Sequence, residues 1–225
     1  MTSDTSRPAA ERDPEGLVVQ CSGIRWEPAT DVEDGGADLL VYQREVIVIR
    51  GAAGAGKTSL LHAIAGIQQP LVGDVRWTIG TPRLWRDVAL IPQSIALVDE
   101  LTVTDNIALP SLIVSGDSPT RLDEMLRKLG LTALKDRMID EISVGERQRV
   151  MIARAIATDA PLVLADEPTA HQDEGNAQRI LAMLDREATL GRACVIATRH
   201  DQRVKRDDQS HTYELASSKL SHNST

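Results

Sequence analysis

The stretch VIVIRGAAGAGKTSLLHAIAG, Val46 to Gly66, sets the fold of the whole chain. It opens on apolar residues with no polar alternation, the pattern of a strand buried on both faces of a parallel sheet. It continues as GAAGAGKT, Gly51 to Thr58, and ends in a run with helical character. A strand, a glycine-rich loop with Lys-Thr, and a helix in that order form a phosphate-binding pattern. Glycines at 51, 54 and 56 let the backbone curl so that successive N–H groups point inward, and the helix N-terminus adds partial positive charge. Lys57 is placed to reach the β and γ phosphates of a nucleotide, and the Thr58 hydroxyl to coordinate Mg²⁺.

Beyond this stretch the same alternation repeats. Val88 to Ile91, Leu162 to Ala165 and Cys194 to Ala197 read as further buried strands. Lys57 to Ala65, Pro119 to Leu129, Gly145 to Ala157 and Glu174 to Thr189 read as helices, the second with Ser118 as N-cap, Pro119 at its first position and Gly130 just past its end. Leu17 to Trp26 and Leu39 to Tyr42 predict an antiparallel pair laid against the first parallel strand, joined by an acidic loop from Asp31 to Asp38. Together these predict an α/β domain with a largely parallel sheet over residues 17–216. Residues 1–16 and 217–225 are polar and predict disordered tails.

Composition bounds the function. The chain has 225 residues, enough for one compact domain, and with no Phe and 2% aromatic residues its core must be Leu, Ile, Val and Ala. A net charge of -8 argues against life on nucleic-acid phosphates, although it leaves room for one phosphate site. Cys21 and Cys194 lie far apart without metal-ligand spacing, so neither a disulfide framework nor a zinc site is indicated. No apolar run is long enough to span a bilayer and no secretory signal opens the chain, which predicts a cytoplasmic protein.

A second constellation narrows the chemistry. PLVLADEPTA, Pro161 to Ala170, places Asp166 and Glu167 at the end of a buried strand, where a parallel sheet presents its carboxyl ends to ligand. Asp166 would hold Mg²⁺ through water. Glu167, pointing the other way along an extended chain, would polarise an attacking water.

Between the two motifs lies ISVGERQRV, Ile142 to Val150, which resembles the signature segment of ABC-type ATPases. The rest of that family's order follows: Gln93 in LIPQ, ADEP at Ala165 to Pro168, AHQD at Ala170 to Asp173 and RHD at Arg199 to Asp201. LTVTDNIALP, Leu101 to Pro110, followed by SLIVSG and by VLADEPTA, looks most like the lipoprotein-release and macrolide-export branch. The resemblance implies a P-loop NTPase fold of ABC-ATPase type, with a mostly parallel core sheet, an antiparallel β subdomain and a helical subdomain at about 94–158. It implies a head-to-tail dimer, homo- or heteromeric, with ATP and Mg²⁺ sandwiched between the loop Gly51, Gly54, Ala55, Gly56, Lys57, Thr58 and Ser59 of one subunit and Ser143 and Gly145 of the other. Gln93 would touch Mg²⁺ or the water, Asp173 would line the interface, His200 would contact the γ phosphate, and Trp26 would stack on adenine. Trp77 and Trp85 are expected to be structural. The partner it implies is an integral membrane permease, which would place the chain on the inner face of the cell membrane.

The pattern departs at Val144, where the family usually has Gly, at Glu146, usually Gln, and at Arg44, commonly Gly. A β-branched residue disfavours positive φ, so Val144 leaves two activities open: an ATP-hydrolysing engine for a permease, or a nucleotide-gated regulatory subunit with little turnover. A soluble DNA-repair ATPase of the same fold is disfavoured by the acidic charge and the lack of coiled-coil inserts.

Overall fold

The computed structural model describes residues 16–26, 36–78, 80–199, 210–216 and 219–222. Its centre is a six-stranded sheet built around β3 (Val46–Arg50), with β5 (Val88–Ile91), β6 (Leu162–Asp166) and β7 (Ala193–Thr198) on one side of it and β8 (Ser210–Ala216) and β9 (Lys219–His222) on the other, in the order β5-β6-β7-β3-β8-β9. Every pair is parallel except the β8–β9 hairpin at the edge. A separate antiparallel sheet, β2-β1-β4, is formed by β1 (Leu17–Arg25), β2 (Ala37–Tyr42) and β4 (Val72–Trp77).

The apolar runs explain the layering. Along β3, Val46 and Val48 enter one core while Ile47 and Ile49 enter another. β6 and β7 divide the same way, Val163, Ala165, Cys194 and Ile196 facing one layer and Leu162, Leu164, Val195 and Ala197 the other. A strand alternates its side chains across the sheet, so an unbroken apolar run is what a strand covered on both faces requires. The first face is covered by α2 (Val103–Ser115), α3 (Leu122–Lys128), α4 (Val144–Ile156) and α5 (Glu174–Thr189). The second is covered by α1 (Lys57–Ile64) and by the antiparallel sheet.

Several elements differ from the sequence expectation. The β1–β2 pair belongs to its own sheet, completed by β4, a strand whose exposed residues mask its pattern. α2 carries Pro110 inside it, which hid the helix, yet Thr102 caps it by accepting from the Asp105 N–H. α3 starts at Leu122 and not at Pro119, because the preceding turn delivers Arg121 onto buried Glu187 of α5 instead of letting Ser118 cap. The tail expected from Ser217 is corrected at Lys219–His222, which form β9. Its pairing comes from β8, which in turn adds to the edge of β3. Residues 1–15 lie outside the described residues. No helix among the described residues is long and apolar enough to cross a membrane.

Candidate functional site

Register brings the site together. Arg50 pairs with Thr198 and Asp166 with Ala197, so β3, β6 and β7 end side by side and release Gly51, Glu167 and Arg199 at one edge. The loop after β3 then turns into α1 through glycines in the left-handed region, Gly54 at φ +79° and Gly56 at φ +92°. Gly56 is the N-cap of α1 and supplies no side-chain acceptor, so the helix presents its first N–H groups toward the loop. Gly51 has a different reason: a Cβ there would lie 2.5 Å from the Leu215 carbonyl of β8.

Lys57 is 7% exposed, and its ammonium donates to the loop carbonyls of Gly51 at 2.8 Å and Ala52 at 3.0 Å. The Thr58 hydroxyl donates to Asp166 Oδ2 at 2.5 Å. Burial raises the Asp166 carboxyl above its ordinary range and nearby Glu167 adds to that, while the Thr58 hydroxyl and Lys57 oppose it. A buried carboxylate beside a hydroxyl and an amide is the oxygen set that Mg²⁺ shares with phosphates, so Thr58, Asp166 and Gln93 fit the metal. Gln93 is exposed and lines two adjoining clefts. One, of about 280 Å³, runs along Gly54, Lys57 and Ser59 to Glu167 and Arg199. The other, of about 430 Å³, is bounded by Leu61, His62, Pro92 and His171. Thr58 and Asp166 line both.

Glu167 departs from the expected extended chain. It sits at φ +47°, in the left-handed region, and its carbonyl accepts from the Ala170 N–H and from the buried Gln148 amide, which also reaches Pro168 O. Those bonds turn the chain at the strand end and hold a conformation that an L-residue otherwise avoids. The turn points the carboxylate into the cleft, 3.9 Å from Lys57 Nζ, where it accepts from Thr198 Oγ1 at 3.3 Å and Arg199 Nε at 3.1 Å. Arg199 is a contact that sequence reasoning missed. Its one signal was its place between Thr198 and His200, and His200 itself lies outside the described residues.

Ser143, Gly145 and Asp173 line neither cleft, although Gly145 packs on His171 at the edge of the larger one. Ser143 caps α4 in a reciprocal box with Glu146, whose carboxyl is held low by the Ser143 hydroxyl and N–H. Val144 opens the helix, 53% exposed, and is not among the residues with positive φ. The geometry there is an ordinary helix start, which a β-branched residue tolerates. Gly145 is needed for closeness, because a Cβ would approach His171 O to 3.2 Å, and its carbonyl accepts from the Gln172 amide. Asp173 caps α5 by accepting from the Asn176 N–H, a bond that lowers its carboxyl.

Trp26 lies at the site but beneath it. At 7% exposure the ring packs against Gly56, so close that a Cβ on that glycine would lie 1.8 Å from Trp26 Nε1. This position packs the indole against the loop. Trp77 anchors α1, its indole donating to Ile64 O at 2.8 Å. Arg44, at φ +66°, occupies the left-handed conformation that explains why glycine is common there.

Comparison with known proteins shows the family. The profile of the ABC transporter family matches residues 35–170. The lipoprotein-releasing system ATP-binding protein LolD of Chromohalobacter salexigens is 33% identical over 224 residues, covering 89% of this chain and 94% of that protein. A macrolide export ATP-binding/permease protein of Aeromonas hydrophila is 34% identical over 83% of this chain, which spans only 31% of that longer protein. An ATP-binding cassette solved as a dimer in a post-hydrolysis state with ADP and phosphate superposes with a TM-score of 0.77 at 23% identity, over 91% of this chain and 97% of that one, a likeness of fold. The chain belongs to the ABC transporter family and is one of its ATP-binding, ATP-hydrolysing members.

Proposed function

We propose that this chain is the ATP-driven subunit of a transporter whose membrane-spanning part is a separate permease, working in export or in extraction from the membrane. The observation that carries the reading is the convergence of Lys57, the Thr58–Asp166 pair and Glu167 on one cleft at the carboxyl edge of the sheet. In that cleft the N–H groups opening α1 and the Lys57 ammonium bind the β and γ phosphates. Thr58, Asp166 and Gln93 would hold Mg²⁺, which when bound offsets charge on the phosphate oxygens. Glu167 takes a proton from water as the water oxygen bonds to the γ phosphorus and the bond from that phosphorus to the ADP oxygen breaks, leaving ADP and inorganic phosphate.

Because Ser143, Gly145 and Asp173 line neither cleft, a second subunit would supply them across a head-to-tail dimer, where the N-terminus of α4 favours the γ phosphate. The helical backbone at Val144, without positive φ, supports the hydrolysing reading over a regulatory subunit without turnover. The chain would then sit on the cytoplasmic face of the membrane, held there by its permease. The test is ATP turnover by the purified chain over a range of protein concentrations with Mg²⁺. Turnover per subunit that rises with concentration and is lost in Glu167→Gln supports the reading with two identical chains, and binding without turnover at any concentration would mean that the signature half comes from a different subunit or that the chain is a regulator.

A further inference from the structure

Among the described residues, Arg199 is the charged side chain that reaches Glu167 without a part in the mechanism above, beside the neutral Thr198 hydroxyl. Its Nε donates to Glu167 Oε1 at 3.1 Å, and the same carboxylate oxygen lies 3.9 Å from Lys57 Nζ. Exposure separates the two partners: the Glu167 side chain is 5% exposed and that of Arg199 is 47% exposed. The carboxylate is therefore fixed inside, while the guanidinium has room to move. Arg199 also lines the cleft assigned above to the phosphates. It follows β7 directly, level with Gly51 of the loop, and it lines the cleft opposite Gly54 and Lys57.

Charge decides what happens when the cleft fills. Without nucleotide, Lys57 and Arg199 balance Asp166 and Glu167. A triphosphate adds negative charge next to a guanidinium whose planar fork matches phosphate oxygens. Lys57 is buried against the loop and already committed to the β and γ phosphates, whereas a half-exposed arginine has room to turn toward added charge.

We propose that Arg199 reads the γ phosphate: its guanidinium, paired with the Glu167 carboxylate, passes to the terminal phosphate when ATP binds and leaves Glu167 to the attacking water. The proposal rests on the ATPase reading above and adds a residue to it. In the empty state the pair guards the carboxylate. In the filled state the same cation neutralises charge that ADP does not carry.

The test compares the wild-type chain with Arg199→Ala and Arg199→Lys, titrated calorimetrically with Mg²⁺ and either ADP or the β,γ-imido analogue of ATP, with ATP turnover measured alongside. The expected result is a roughly ten- to hundredfold loss of affinity for the triphosphate analogue in Arg199→Ala. ADP affinity should change less than twofold, turnover should fall, and Arg199→Lys should recover part of the triphosphate preference through its charge. Equal weakening for both nucleotides would show a merely structural residue and overturn the proposal. So would an unchanged preference for triphosphate, or faster turnover in Arg199→Ala. A wild-type chain that binds neither nucleotide rejects the ATPase reading and the proposal with it, an outcome distinct from normal wild-type binding with an indifferent variant.

Discussion

Glu167 shows how much one side chain's chemistry depends on its backbone. The left-handed turn that aims it is held by the amide of Gln148, a residue of α4, so a helix carrying the signature segment also supports the residue proposed above as the base. Removing the carboxylate alone, in Glu167→Gln, is expected to lower turnover by about 10²- to 10⁴-fold while leaving nucleotide affinity in place, checked by steady-state hydrolysis and by titration. Gly56 is constrained twice, by φ +92° and by the indole of Trp26. Gly56→Ala should cost about 1–2 kcal/mol for the left-handed residue, and more for the overlap. Thermal melting checks the loss, and a drop in nucleotide affinity should accompany it. Cys21 offers a pH test away from the site. Burial, with the Asp38 carboxylate adding to it, pushes its thiol up to about 12. An unfolded thiol ionises near ~8.5, so above that pH the unfolded chain releases a proton that the folded chain keeps, and stability falls by about 1.4 kcal/mol per pH unit until the folded thiol ionises. Urea midpoints at pH 8 and pH 10.5 should therefore drop less in Cys21→Ala than in the wild type, and equal drops would mean the thiol is not the cause.

Among the elements, the helical layer is tied to the sheet by one fully buried carboxylate. Glu187 of α5 accepts from Arg121 Nη1 at 3.1 Å and Nη2 at 2.6 Å ahead of α3, and from Arg192 Nη1 at 2.9 Å ahead of β7. Arg192 in turn donates to Ala160 O and Ile156 O at the end of α4. Glu187→Ala would leave buried Arg192 without its anion and Arg121 with Glu124 alone, and the expected cost is about 3–5 kcal/mol, measured by chemical denaturation. Arg121→Ala should cost less, because Arg121 is partly exposed and water can replace its contact while Arg192 keeps the carboxylate paired. This knot was invisible along the chain: Arg121 and Glu187 are 66 residues apart, and a glutamate in an amphipathic helix reads as a solvated face. α2 and β4 escaped for a related reason, since Pro110 and a run of exposed residues break the periodicities that mark helices and strands.

For the whole molecule, the absence of Ser143, Gly145 and Asp173 from the lining of either cleft makes association the step to watch. Glu167→Gln in the presence of Mg²⁺-ATP is expected to accumulate as a dimer, and light scattering that shows only monomer at saturating ATP would reject the head-to-tail arrangement. The loop, its glycines, Lys57, Thr58 and the Asp166–Glu167 pair were all legible in the linear chain, as were the strands that carry them. Each of those signals is local: a two-residue alternation, a turn that needs positive φ, a carboxylate at the end of an apolar run. The rest required the folded chain. β8 and β9 exist because β3 has an edge to fill, α3 begins where Arg121 meets Glu187, Trp26 lies under Gly56, and Arg199 finds Glu167 across 32 residues. Local sterics and periodicity act between neighbours and can be read in order, whereas ion pairs, edge pairing and close packing depend on distances that only the assembled layers create.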